Sequence, residues 1–121
     1  MLKHSLYALV LAVAATYCVQ AHAEDITGDY TVEGSDTDGG NAYTGTCSIQ
    51  KKGEVFTMVW QIENKKEIGS GIITDNVLSA CFKDADTIGL CSYKISAGKL
   101  TGLWAELKTD GKVYKETLTK K

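Results

Sequence analysis

The chain contains no proline and no arginine, and its two histidines, His4 and His22, both lie close to the N-terminus. Histidine is the commonest general base and a common metal ligand. Arginine supplies the planar fork that binds carboxylates and phosphates. If the N-terminal segment is removed, the remaining chain lacks both residue types. We therefore expect a protein that is not an enzyme and that holds neither a metal ion nor a cofactor.

The N-terminal segment has the pattern of an export signal. Lys3 and His4 form a short positive start, and residues 6–19 form an almost unbroken apolar run. Ala21 and Ala23 then supply the small-x-small pattern that a signal peptidase recognises. The apolar run is too short for a transmembrane helix. The pattern therefore predicts cleavage before the next residue.

Cys18 invites comparison with a lipoprotein signal, but Tyr17 stands where that signal requires a small residue. Soluble export is therefore favoured. We divide the chain into a signal peptide, residues 1–23, and one domain, residues 24–121, and we expect a periplasmic or secreted location. A chain of this size is enough for one modest core and too short for two.

The predicted mature chain carries fifteen carboxylate side chains against twelve lysines, a net charge of about −3. Since the chain has no excess of basic side chains to neutralise phosphates, we do not expect it to bind nucleic acid. No later apolar segment approaches the length of a membrane span, so no membrane insertion is expected after signal cleavage.

Three cysteines remain in the mature chain: Cys47, Cys81 and Cys91. Export places them where disulfides persist, and an odd number allows one internal bridge and one spare thiol. A hairpin turn around residues 84–87 would put Cys81 directly opposite Cys91, within reach of a disulfide. A Cys47–Cys91 bridge is the alternative. We expect a monomer, and a spare Cys47 that is either buried or links two copies in a dimer.

Two segments of the chain match each other at an offset of 44 residues without a gap. Both cysteine and tryptophan recur in register, which favours a doubled supersecondary unit. The matching residues are Gly45, Cys47, Ser48, Thr57 and Trp60 in the first segment and Gly89, Cys91, Ser92, Thr101 and Trp104 in the second.

Short runs rich in β-branched and aromatic residues, separated by polar glycine-bearing turns, predict strands throughout the mature chain. The predicted strands are 27–34, 42–50, 54–62, 67–73, 77–83, 88–95, 99–107 and 113–119. Because closure removes exposed sheet edges, the pattern favours an all-β fold: a small eight-stranded antiparallel up-and-down β-barrel of two pseudo-repeated four-strand halves. A small sandwich is the alternative.

Side chains alternate between the two faces along a strand, and the repeat offset is an even number of residues, so both tryptophans should point the same way. Alternation within the predicted strands indicates that this direction is inward. Inward-facing aromatic residues either fill the core or line a ligand cavity, since barrels of this size do one or the other. Glu106 shares a face with Trp104, and we expect it to be exposed at the strand end. The candidate ligand-binding residues are Trp60, Trp104, Tyr43, Phe56 and Tyr93.

Two other segments contain residue types that could bind a metal ion or act in catalysis. Residues 34–41 contain the D-x-D-G pattern of a calcium-binding loop but lack the later ligands of that motif, which favours a flexible hairpin loop. Ser92 and Lys94 are two positions apart on one predicted strand, where a serine–lysine dyad would require both to enter a pocket. We expect them to decorate the outer face instead.

The order of motifs resembles a family of small secreted bacterial β-barrel proteins. The matching segments are GDYTVEG, AYTGTCSI, VFTMVW, GSGI, VLSACF, KLTGLWAEL and KETLT. Members of that family are mostly uncharacterised, and some are labelled fibronectin-binding. The chain departs from the family pattern at its three cysteines and at Lys115 and Glu116. The resemblance implies a secreted β-barrel and no catalytic residues.

Together these patterns predict an exported, non-catalytic binding module of a bacterium. Its partner would be a periplasmic or extracellular protein, or a small apolar ligand held in the barrel. An inhibitor of a periplasmic or host hydrolase is the alternative, by analogy with other small exported barrels. That role needs a protruding loop, for which residues 35–41 are the candidate.

The cleavage site is directly testable. The mature protein recovered from the periplasm or the medium should begin at Glu24, because residue 23 completes the small-x-small pattern. Intact-mass measurement with N-terminal peptide mapping checks this. A mature chain that retains residues 1–23 would contradict it.

Overall fold

The computed structural model describes residues 24–36, 38–108 and 111–121, in which the sheet is built from eight strands and no helix occurs. Residues 1–23, the predicted signal peptide, lie outside the described residues. The strands are β1 (Gly28–Asp36), β2 (Tyr43–Lys52), β3 (Val55–Ile62), β4 (Lys65–Thr74), β5 (Val77–Lys83), β6 (Ile88–Ser96), β7 (Lys99–Glu106) and β8 (Tyr114–Lys120).

Each strand pairs antiparallel with the next, and β1 pairs with β8 to close the sheet into a barrel. The closing register runs from Tyr30 opposite Lys120 to Asp36 opposite Tyr114. The predicted up-and-down barrel is therefore confirmed, and the sandwich alternative is wrong. None of the described residues forms a helix with the length and apolar character needed to cross a membrane.

The repeat is visible in the strand pairing. Cys47 lies opposite Trp60 in the β2–β3 pair, and Cys91 lies opposite Trp104 in the β6–β7 pair. Both tryptophans pack inside the barrel, Trp60 buried and Trp104 partly buried. The 44-residue offset therefore relates two hairpins with the same register and the same inward faces.

One end of the barrel, which we call the closed end, carries the tight turns between β2 and β3, β4 and β5, and β6 and β7. In the second of these turns Asp75 and Asn76 both have positive φ, as a two-residue hairpin of type I′ requires. Residues 24–27 contribute to the packing here. Ile26 is buried, and its carbonyl oxygen accepts a hydrogen bond of 2.7 Å from the Tyr30 hydroxyl.

Apolar side chains fill the barrel toward the closed end. Each strand sends alternate residues inward, so that the interior is a packed core in this half. Its most buried members include Met58, Leu78, Leu100, Leu118 and Ile49. The opposite end, which we call the open end, carries the connections between β1 and β2, β3 and β4, β5 and β6, and β7 and β8.

The predicted register of the β5–β6 hairpin is wrong by one residue, and this corrects the disulfide prediction. The Asp84 carboxylate accepts hydrogen bonds from the backbone N–H groups of Asp86 and Thr87, which closes a four-residue turn. Cys81 therefore lies opposite Leu90 on the outer face, whereas Cys91 points inward. A shift of one residue places side chains on opposite faces of a sheet.

In the structure Cys47, Cys81 and Cys91 are all free thiols. Cys47 and Cys91 are both buried inside the barrel, and burial raises the pKa of the Cys91 thiol to about 12. Cys47 is 1% exposed, so the idea of a dimer linked through Cys47 has no geometric basis in the folded barrel. Cys81 is the exposed thiol of the three.

Thiol accessibility should follow this burial. In the mature protein a disulfide-exchange reagent should label Cys81 rapidly in the native state, and Cys47 and Cys91 only after unfolding, because the thiolate is the reactive form and burial disfavours it. Mass spectrometry of the labelled protein counts the modified thiols. The serine variant Cys81→Ser serves as the control and should label only after unfolding. A native protein with no reactive thiol would contradict the free-thiol arrangement.

Candidate functional site

The open end of the barrel holds a cavity of about 230 Å³. Its lining combines aromatic rings with acidic side chains and comes from seven of the eight strands and from two open-end turns. The lining residues are Tyr43, Trp60, Ile62, Glu63, Lys65, Glu67, Phe82, Asp84, Tyr93, Trp104, Glu106 and Glu116.

Glu116 lies at the buried base of this cavity, and glycines on both neighbouring strands make room around it. It pairs with Gly34 on β1 and with Gly102 on β7. Tyr43 packs over Gly34, where an added Cβ would lie 2.1 Å from the ring. Tyr93 lies opposite Gly102 on the other side. The two glycines therefore let two tyrosines reach one carboxylate.

The hydrogen bonds at Glu116 form a connected network. The Tyr43 hydroxyl donates to one carboxylate oxygen at 2.7 Å, and the Tyr93 hydroxyl donates to the other oxygen. The Trp104 indole N–H donates in turn to the Tyr43 hydroxyl at 2.6 Å. Buried carboxylates need such donors, because an unpaired buried charge is strongly unfavourable. The network fixes the positions of three cavity side chains.

Burial raises the pKa of the Glu116 carboxyl, and hydrogen bonds from Tyr93, Tyr43 and Trp60 lower it in part. Burial also raises the pKa of Tyr43, and the nearby Glu116 charge raises it further, so this phenol stays a donor at neutral pH. The network therefore consists of neutral donors arranged around one acidic group.

Trp104 joins the aromatic rings of the cavity into one cluster. Its ring stacks on Tyr114 with centroids 4.4 Å apart and meets Phe82 edge to face at 5.8 Å. Phe82 also meets Trp60 edge to face at 6.0 Å. These are the preferred geometries for aromatic pairs. Through these contacts the rings form one connected aromatic wall of the cavity.

A second acidic side chain, Glu67, lies next to this wall. It is directly opposite Trp60 in the β3–β4 pair. Its pKa is raised to about 7, mainly by burial and also by the negative charges of Asp84, Glu116 and Glu106, while Lys65 acts in the opposite direction. Among the described residues no side chain donates a hydrogen bond to its carboxyl group. Glu67 is therefore an acid that changes charge near neutral pH.

The structure brings together four of the five predicted ligand-binding residues. Trp60, Trp104, Tyr43 and Tyr93 all line the cavity. Phe56 does not, because it lies near the start of β3 at the closed end, where Lys51 lies over its ring. Alternation along a strand indicates which face a side chain occupies but not at which end of the barrel it lies. Glu106, expected to be exposed, instead contributes to the cavity lining.

Glu67 and Glu116 both line the cavity and were missed as site candidates. Alternation along their strands predicts that both side chains point inward, and an acidic side chain at such a position is unusual in a barrel core. Glu116 was noted only as a departure from a family pattern. Ser92 and Lys94 are exposed on the outer face, as expected.

The loop after β1 is tied to the barrel by Asp36. This side chain is buried, and its carboxylate accepts hydrogen bonds from Asn41 Nδ2 at 3.0 Å and from Lys112 Nζ at 3.1 Å. Within the described residues no group of three or more histidine, cysteine, aspartate or glutamate side chains is placed to hold a metal ion. Residue 37 lies outside those residues.

The outer face carries an apolar groove of about 420 Å³ across β3, β4, β5 and the start of β6. Ile68 and Ile88 line it and are about half exposed, at 46% and 56%. Cys81 also lies in this groove. Leu90, on the same outer face, is 60% exposed.

Comparison with protein-family models and with curated proteins found no match to this chain. The resemblance to small secreted β-barrel proteins therefore stays a prediction.

The shifted pKa of Glu67 predicts how stability depends on pH. The folded state favours its protonated form, so the stability from this group is complete below its unfolded pKa near 4.5 and is lost as pH rises through about 7. The isosteric variant Glu67→Gln should therefore gain stability over the unaltered protein at pH 7.5 relative to pH 5. Urea denaturation of both proteins at the two pH values measures this difference.

The matched control is Glu33→Gln, because Glu33 is exposed on the outer face of β1. Its stability difference from the unaltered protein should be nearly equal at the two pH values. If Glu67→Gln behaves like Glu33→Gln, the pKa assignment is wrong.

Proposed function

We propose that this protein is an exported, non-catalytic binding module that holds a small molecule in the cavity at the open end of its barrel. The observation that carries the proposal is the cavity itself, with both tryptophans of the chain in its wall. Ligand pockets are concave, largely preformed and lined by aromatic side chains with a few placed polar groups. The half of the barrel below it is packed, so the ligand would enter from the open end.

Preorganisation supports a binding role for the cavity. Tyr43 and Trp104 are held by hydrogen bonds, and Trp104 is also packed against Tyr114 and Phe82. Side chains that are already fixed lose little conformational entropy when a ligand binds. Aromatic rings also offer large apolar contact areas. The site therefore suits a compact molecule with an apolar or aromatic body.

The non-catalytic part of the proposal is supported by the placement of the candidate nucleophile. Ser92 and its lysine neighbour Lys94 are exposed on the outer face of β6, away from the cavity. Activation of a serine requires a base within hydrogen-bond reach in a substrate site.

The other two hypotheses are less well supported. The outer apolar groove offers a surface for a protein partner, but no feature of the groove selects the chemistry of that partner. An inhibitor needs a loop that protrudes into an active site. Here Asp36 binds Asn41 and Lys112, so the base of the candidate loop is held against the barrel.

Tryptophan fluorescence provides a direct test, because Trp60 and Trp104 both line the cavity and are the only tryptophans in the chain. The probe is 2-phenylethanol, a compact neutral aromatic molecule, added to the mature protein. Binding in the cavity should change the emission and saturate with concentration. Calorimetry on the same samples gives an independent affinity.

The matched variants are Trp104→Leu and Leu103→Ala, neighbours on β7 that face the interior and the solvent respectively. Loss of one aromatic contact should weaken probe binding by roughly fivefold in Trp104→Leu. Leu103→Ala should bind like the unaltered protein. Equal affinity in both variants, or no saturable binding of any probe to the folded protein, would overturn the proposal.

A further inference from the structure

The cavity that we propose as a ligand site is lined by many more acidic than basic side chains. Five carboxylates and one lysine line it, although the mature chain as a whole is only slightly acidic. The carboxylates are those of Glu63, Glu67, Asp84, Glu106 and Glu116, and the lysine is Lys65. A cleft lined by charges of one sign concentrates ligands of the opposite sign.

Glu116 provides the most buried of these charges. It is 5% exposed, and both of its oxygens accept hydrogen bonds from neutral phenols rather than from a lysine. Among the described residues Glu116 forms no ion pair. These hydrogen bonds hold the carboxyl group in place. The base of the cavity therefore presents an acidic group that has no cationic partner among the described residues.

Glu67 places a second carboxyl group at the side of the cavity, opposite Trp60. Asp84, Glu106 and Glu116 line the same cavity, and their negative charges raise the pKa of Glu67. Only Lys65 acts in the opposite sense among the causes of its pKa shift. A cation that entered the cavity would relieve the repulsion between these groups.

The aromatic wall is also suited to a cation. Trp60, Trp104 and Phe82 expose ring surface to the same cavity. The face of an aromatic ring attracts an ammonium group, and tryptophan does so most strongly. Acidic groups and ring faces together are the two elements by which proteins recognise ammonium ligands. A metal ion is a poorer match, because the described carboxylates are too dispersed to coordinate one jointly and hard cations require several oxygen ligands at short range.

We propose that the ligand of this cavity is a small organic cation, in which a compact apolar or aromatic body carries an ammonium group. The ammonium group lies between the carboxyl groups of Glu67 and Glu116, and the body of the molecule packs on the aromatic wall. This inference rests on the proposed function of the cavity as a small-molecule site, and it adds the charge of the ligand.

Three probes of nearly equal shape and different charge test the inference. They are 2-phenylethylamine, which is a cation at neutral pH, 2-phenylethanol, which is neutral, and 3-phenylpropanoate, which is an anion. Calorimetry and tryptophan fluorescence give the affinity of the mature protein for each at pH 7.5. The amine should bind at least about tenfold more tightly than the alcohol, since hydrogen bonds to charged groups are worth more than neutral ones. The anion should bind least.

Isosteric variants then locate the effect. Glu67→Gln should weaken amine binding by about tenfold and leave alcohol binding nearly unchanged, because only the amine interacts with the lost charge. Glu116→Gln tests the buried group in the same way. Glu33→Gln, which removes an equal charge from the outer face, should leave the affinity for all three probes unchanged.

The outcomes separate the two proposals. If amine and alcohol bind the cavity equally well, the protein is a small-molecule binder and the cation inference is wrong. Tighter binding of the anion would also overturn the inference alone. If none of the probes binds, both proposals fail. An amine preference that survives in both Glu67→Gln and Glu116→Gln would show that these carboxylates are not the recognition groups, which also overturns the inference.

Discussion

The pairing of β1 with β8 is the constraint on which the rest of the structure depends. It joins residues at opposite ends of the domain, such as Thr31 and Thr119, in one continuous ladder. Closure satisfies the backbone groups of both terminal strands and removes the edges that an open sheet would expose. It also fixes the interior volume, so every inward-facing side chain must fit a space set by eight strands.

Closure explains why large and small residues alternate around the open end. Phe82 packs where Gly89 lacks a side chain, and an added Cβ there would lie 2.1 Å from the ring. Tyr43 uses the space over Gly34 in the same way. Because these rings occupy the space over glycines, they leave more of the interior unfilled. The cavity is therefore a consequence of glycine placement as much as of strand number.

Strand pattern and repeat were sufficient to predict the barrel and the inward direction of both tryptophans. Local alternation decides which face a side chain occupies, and this information is present in each strand by itself. Register across a turn is different. The Asp84 carboxylate accepts two hydrogen bonds that determine the length of the β5–β6 turn. With this turn length Cys81 lies opposite Leu90 on the outer face. Residue type alone does not distinguish the two turn lengths.

The sequence predicted the aromatic residues of the candidate site but not its acidic residues. As with the β5–β6 register, the reason lies in contacts between strands. Trp60, Trp104, Tyr43 and Tyr93 could be placed inside from alternation alone. Glu116 becomes intelligible only when Tyr43 and Tyr93, from two other strands, are seen to donate to it. A buried carboxylate is stabilised by partners that lie far from it in the sequence. Until they are located, an inward-facing glutamate resembles a residue at an exposed strand end.

The same hydrogen bonds have a consequence for the kinetics of folding. Glu116 is on the last strand, and its partner Tyr43 is 73 residues earlier on the second strand. Hairpins such as β2–β3 and β6–β7 form from local contacts, whereas contacts of large sequence separation form late because loop closure is entropically costly. We therefore expect the cavity to be completed in the final, rate-limiting step, when β8 docks against β1. A binding-competent cavity would then serve as a marker of complete folding.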